Sequence, residues 1–188
     1  MQFQLNNTLI FACISAALLS LVFIATVNSN YIYAQNEKFK AKLKGDSEVP
    51  PTTSSATAKA KFKAKGDDIT FKINITGITD VTAAHIHAGM KGQSGEPVVD
   101  LLKSGKQNKA DTGVIIQGEI AASDLQGPMA GKTVQDLETA MGNKETYVNV
   151  HTSDHPAGEI RGLIKLSGGK VKTVDSAGAD NMAGKEEG

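Results

Sequence analysis

All four histidines of this 188-residue chain fall in two short segments, Ala84-His85-Ile86-His87-Ala88-Gly89 and Asn149-Val150-His151-Thr152-Ser153-Asp154-His155-Pro156. Residues two apart on a strand point to the same side, so His85 and His87 would present two imidazoles together. A rigid pair of neutral imidazole nitrogens suits a transition metal such as copper or zinc. A further ligand must come from elsewhere in the chain. His151 is the natural candidate, and His155, beside a proline and expected in a loop, completes the set. The same spacing also suits a structural role. Paired histidines can fix a turn by hydrogen bonding to Asn149, Asp154 or backbone carbonyls. Spacing alone leaves both readings open.

Glu159 and Arg161 form the other notable pair, in Ala157-Gly158-Glu159-Ile160-Arg161-Gly162. Two apart on a strand, they would share a face and hold each other or a neighbour, as a structural ion pair or as a charge that draws an anion toward a nearby site. Gly89, Gly92 and Gly95 precede Val98 without following a strand or opening a helix. That argues against a phosphate-binding loop and for tight turning. No serine elbow is evident, and no cysteine follows Cys13. Asn74-Ile75-Thr76 fits an N-glycan acceptor.

The elements that must position these residues read as strands. Ala56, Ala58, Ala60, Phe62 and Ala64 alternate with Thr57, Lys59, Lys61, Lys63 and Lys65. After Gly66-Asp67-Asp68, Ile69, Phe71, Ile73 and Ile75 alternate with Thr70, Lys72, Asn74 and Thr76. This is a hairpin with one wet face, on which the lysines read as a solvated surface that also discourages edge pairing. Further strands are expected at residues 39–43, 81–88, 98–102, 114–120, 147–152 and 159–166. Short strands between Gly, Pro, Asp and Ser indicate an all-β sandwich or barrel. Thr133 with Asp136 three residues on marks a helix start. Val134, Leu137 and Met141 lie on one face before Gly142, so one short helix is expected across an end of the sheets.

The chain divides into residues 1–34, 35–166 and 167–188. Residues 9–27 are apolar and uncharged, at the long end for a signal-peptide core and the short end for a spanning helix. Ile32-Tyr33-Ala34 before Gln35 is a fair cleavage site. The first part is therefore expected to be a signal peptide or membrane anchor, and the rest to lie outside the cytoplasm, secreted or anchored. Cys13 lies within the apolar run, so a disulfide framework is excluded and the fold must rest on its core. The charges balance, with Lys+Arg 20 and Asp+Glu 20. That balance gives no general field for nucleic acid, and any membrane contact is expected only through the first segment. Residues 167–188, mixing Gly, Ala, Ser, Asp and Lys, read as a disordered tail.

The body of the chain resembles the CHRD (chordin) domain family. The matching pieces are Glu48-Val49-Pro50-Pro51, then His85-Ile86-His87-Ala88-Gly89 with Gly92 and Gly95. Near the end come Tyr147-Val148-Asn149-Val150-His151-Thr152 and Pro156-Ala157-Gly158-Glu159-Ile160-Arg161-Gly162. The glycine expected near Ala58 is missing. The resemblance implies an extracytoplasmic domain with an immunoglobulin-like or superoxide-dismutase-like Greek-key β-sandwich, and no established activity. With no catalytic residues required, the first functional expectation is a module that binds an extracellular protein, a glycan or a metal. A more distant likeness is to the copper,zinc superoxide dismutases. By it, His85, His87 and His151 would match three copper ligands and Arg161 an anion-steering arginine. A dinuclear site needs more histidines than the chain has, and the structural disulfide of those enzymes cannot form. The alternative to a binding module is then a mononuclear copper or zinc enzyme.

Overall fold

The computed structural model describes residues 37–168. The apolar segment with Cys13, the cleavage position after Ala34 and the tail beyond Gly168 lie outside the described residues. The elements run β1 (Lys38–Lys44), β2 (Thr57–Lys65), β3 (Asp68–Thr76), β4 (Val81–Ala88), β5 (Pro97–Asp100), β6 (Gly105–Ala110) and β7 (Gly113–Ile120). They continue with α1 (Val134–Gly142), β8 (Thr146–Thr152), β9 (Ile160–Leu163) and β10 (Lys165–Leu166).

All pairings are antiparallel, in the order β5-β4-β8-β9-β1-β2-β3-β7-β6, with β10 beside β1. One half of the sheet is β5-β4-β8-β9 and the other β1-β2-β3-β7-β6. The chain passes back and forth between them, and both halves contribute to one contiguous core. The halves are joined where Lys44 of β1 meets Arg161 of β9. The result is a curled, half-barrel-like sandwich with one helix, all-β as expected.

The period-two expectation is met residue by residue. Ala58, Ala60, Phe62 and Ala64 of β2 are buried, as are Ile69, Phe71, Ile73 and Ile75 of β3, while the lysines between them are exposed. The structure differs from the sequence reading at β5 and β6. Strand β5 ends earlier than expected, because the Asp100 carboxylate accepts from the amides of Leu102 and Lys103 and turns the chain. Strand β6 was not expected at all. Its Lys106, Gln107, Asn108, Lys109 and Ala110 are exposed, so no apolar period marks it. It exists because β7 offers a free edge, and its polar surface blunts the new one.

Helix α1 starts where the capping pattern places it. Thr133 Oγ1 accepts from the Asp136 amide at 3.2 Å, and the Asp136 carboxylate accepts from the Thr133 amide at 2.8 Å. Val134, Leu137 and Met141 are buried against the core. Among the described residues no helix is long and apolar enough to cross a membrane.

Two stability predictions follow from this packing. Phe62, 2% exposed, stacks near Phe71 with ring centroids 6.4 Å apart. Phe62→Ala should cost about 3–5 kcal/mol in a denaturant titration. Glu138 is buried in α1 with Oε1 unpartnered, and burial, reinforced by Glu37, pushes its carboxyl from 4.5 up to about 7. A folded pKa above the unfolded one means a proton is taken up on folding, so this stability is full at acid pH and is lost as pH rises through about 7. Glu138→Gln should therefore raise the thermal midpoint at pH 8, by about 1 kcal/mol of stability, and change it little at pH 5. An equal gain at both pH values would refute the ionisation account.

Candidate metal centre

Strand alternation gives the β4-β8-β9 half an inner and an outer face. Ala84, Ile86, Val148, Val150 and Ile160 enter the core. His85, His87, Tyr147, Asn149, His151 and Arg161 occupy the alternate positions and therefore point the other way. The register aligns His85 with Asn149, Asn149 with Arg161, and His87 with Tyr147. The same register sets His151 opposite Ala83, and a bulge between Val81 and Ala83 shifts the pairing only beyond it, at Thr152. The two histidine segments, far apart in sequence, thus lie side by side.

This outer face is not left to water. Residues 89–96 fold back over it, and the Gly95 amide donates to the Tyr147 hydroxyl. A Cβ at Gly95 would sit 1.9 Å from the Ala88 carbonyl oxygen, so only glycine allows this approach. As a result Tyr147, Asn149, His151 and Arg161 are buried, although they face away from the apolar core.

One ring nitrogen from each of His85, His87 and His151 lies within 4.8 Å of the others. His85 Nδ1 and His151 Nε2 are 3.3 Å apart. His87 Nδ1 is 2.8 Å from the Gly95 carbonyl, and His151 Nδ1 is 3.0 Å from the Pro156 carbonyl. A carbonyl only accepts, so both of these nitrogens carry the hydrogen. The Nε2 atoms of His87 and His151 then carry the lone pairs; that of His151 faces His85 Nδ1, and His87 Nε2 is buried without a partner. Burial holds the His85 and His87 imidazoles below the usual histidine range. His151 pushes His85 further down, while Asp100 opposes; the Gly95 bond partly offsets the shift at His87. Both shifts favour the neutral ring, the form that binds metal.

The surrounding polar groups fix this arrangement. The His87 ring stacks on Tyr147, with centroids 5.0 Å apart and planes within 12°. The Arg161 guanidinium lies 3.5 Å from the Tyr147 ring centroid and donates to the Gln93 carbonyl. Glu48 is buried near Arg161; burial pushes its carboxyl up to about 7, with Arg161 opposing the shift. Gly158, at φ 130°, lies under the Asn149 amide, where any Cβ would come within 2.7 Å of the Asn149 side-chain oxygen.

Of the four histidines, His155 is not in the group. Its amide donates to Thr152 Oγ1, and its carbonyl accepts from Gly158, so it shapes the turn leading to β9. Glu159 and Arg161 do not pair with each other. Glu159 accepts from Ser54 Oγ and Thr152 Oγ1, both at 2.6 Å, while Arg161 is held by Tyr147 and Gln93. Chain order hid Tyr147, Gln93 and the Gly95 and Pro156 carbonyls. Tyr147 alone had a signal, since it shares a face with Asn149 and His151 by period two.

No curated protein matches the chain. The CHRD domain family, by contrast, matches residues 39–164, which takes in β1 through β9 and every side chain of the centre. The chain therefore belongs to the CHRD domain family.

Proposed function

We infer that this CHRD domain is an exported binding module that holds one transition-metal ion, copper or zinc, through His85, His87 and His151. CHRD domains are found in extracellular proteins. With the apolar segment at residues 9–27, that supports an extracytoplasmic site, secreted or membrane-anchored, and an extracellular protein or glycan as partner. The observation that carries the metal reading is the convergence of His85, His87 and His151, one ring nitrogen of each within 4.8 Å of the others, with His87 Nε2 buried and unpartnered.

The donor set fits such an ion. Two nitrogens bound at about 2.0–2.1 Å in a tetrahedral site lie roughly 3.4 Å apart. The 3.3 Å between His85 Nδ1 and His151 Nε2 already meets this, and the third ring needs a shift of at most about 1.4 Å to join them. Carbonyl bonds on the far nitrogens of His87 and His151 orient those rings in the way that ligating histidines are commonly oriented. Three imidazoles would leave a fourth coordination position for water or another ligand. An anion-steering role for Arg161 would need its charge free, and here the side chain is 4% exposed and engaged. No observation thus favours the enzyme alternative over binding.

Titrating the metal-stripped protein with Cu²⁺ or Zn²⁺ should raise its thermal midpoint, by about 2.7 kcal/mol of stability at a hundredfold excess over Kd. His87→Ala should abolish the rise, and His155→Ala should leave it. The effect should fade only at a pH lower than the ordinary histidine value of about 6.5, because burial depresses His85 and His87 and protons compete for the same lone pairs. A midpoint indifferent to either ion, or a His87→Ala protein that keeps its metal by elemental analysis, would overturn the reading.

A further inference from the structure

The outer face of the other half of the sheet carries a different feature. Strand register places Lys165 opposite Lys40, Lys40 opposite Lys61, and Lys61 opposite Lys72. Directly opposed residues share a face, so these four ammonium groups form one row across β10, β1, β2 and β3. Gln117 continues the row on β7 and Lys106 on β6. On either side, Lys38 stands opposite Lys63, and Lys42 opposite Lys59. All of these lysines are exposed. The ion pairs among the described residues, Lys44–Asp46 and Lys65–Glu119, lie at the margins of the field and leave its centre without acid.

A wet face needs no such arrangement. Like charges directly opposite each other destabilise a sheet, and mixed signs would serve solubility equally well. Because the whole chain has no net charge, this excess is local. The row also borders a groove of about 620 Å³ whose rim is lysine, with Thr70 and Ser167, and whose floor is the backbone around the buried Phe39, Phe62 and Phe71.

We propose that this lysine row is a binding track for a linear anionic polysaccharide, sulfated or uronate-bearing, lying across the strands. Strands are spaced at about 4.8 Å, so the four lysines cover roughly 14 Å of such a chain. The Thr70 hydroxyl in the groove donates to the Lys63 carbonyl at 3.3 Å and keeps its lone pairs for a sugar hydroxyl. The exposed large apolar residues among those described are Val49 and Met90, neither of them on this face, and Phe39, Phe62 and Phe71 point inward. The face therefore has no ring on which bases could stack and no apolar wedge for a lipid surface. The track uses other side chains than the metal centre and does not depend on it.

The test is binding of the intact exported protein to heparin, as a sulfated polysaccharide, over a range of salt concentrations. Neutral dextran, single-stranded DNA and phosphatidylserine vesicles serve as comparators. Heparin should bind, with affinity falling steeply with salt, at a log–log slope of about −3 to −4. The triple variant Lys40→Gln, Lys61→Gln, Lys72→Gln should lose at least about tenfold at low salt, as the loss of three charge contacts implies. The charge-matched variant Lys103→Gln, Lys109→Gln, Lys132→Gln should change by less than about twofold, as expected for charges away from the track. Heparin fragments should shift the amide resonances of β1–β3 in the unmutated protein, a readout that does not rely on any variant folding. Equal losses in both variants, shifts elsewhere, no heparin binding, or row-dependent binding of DNA or vesicles in preference to heparin would each overturn the proposal.

Discussion

A pleated strand has two faces, and in β8 both are buried. Its inner face, with Val148 and Val150, meets the apolar core; its outer face, with Tyr147, Asn149 and His151, lies beneath residues 89–96. Putting polar side chains out of reach of water is unfavourable unless each finds a partner. Much of the chemistry of the domain follows from meeting that condition. Carbonyls of Gly95 and Pro156 take up two imidazole hydrogens, a tyrosine ring takes the arginine, and the close approach at Gly95 and Gly158 permits no side chain. The condition is not fully met. His87 Nε2 and Asn149 Oδ1 remain without partners, and an unpartnered acceptor in a group of lone pairs is what a cation would satisfy.

The same sheet treats its other outer face in the opposite way. Across β1, β2 and β3 none of the described residues covers the outward side chains, and charge replaces hydrogen bonding as the means of keeping the surface wet. The two regions meet where Lys44 stands opposite Arg161. There an exposed lysine, paired with Asp46 at 2.5 Å, adjoins a buried arginine stacked on an aromatic ring. One outer surface is thus divided into an enclosed site and an open field by where the loops cross it.

What could be read from the sequence follows this division. Alternation in β2 and β3 was plain because a covered face and a wet face differ sharply in residue type. The cap of α1 was plain because Thr133 and Asp136 satisfy each other locally. Strand β6 was hidden, since an edge strand with no covered side carries no periodic signal. At the centre, the spacing of His85 and His87 gave the shared face, and the convergence with His151 depended on a pairing across 66 residues that no local pattern reveals. For Glu159 and Arg161, expected to hold each other or a neighbour, the structure gives the neighbours for a related reason. Two residues apart is adjacency only if no nearer partner exists, and the loops supplied Ser54 to one and Gln93 to the other.

Arg161 raises the remaining electrostatic question, because a fixed cation close to a metal site works against the metal. The sheet order answers it. Strands β4 and β9 flank β8 on opposite sides, so the Tyr147 ring separates His87 from the guanidinium. The negative face of the ring attracts the guanidinium, an interaction worth about 2 kcal/mol when desolvated. Nearby Glu48 supplies a carboxyl whose burial and whose pull from Arg161 act in opposite directions. What reaches His87 from Arg161 is a weak push toward the neutral state, smaller than the effect of burial itself. The arginine thus braces the tyrosine that orients the imidazole and helps to keep that imidazole unprotonated, and both effects favour a ligand nitrogen.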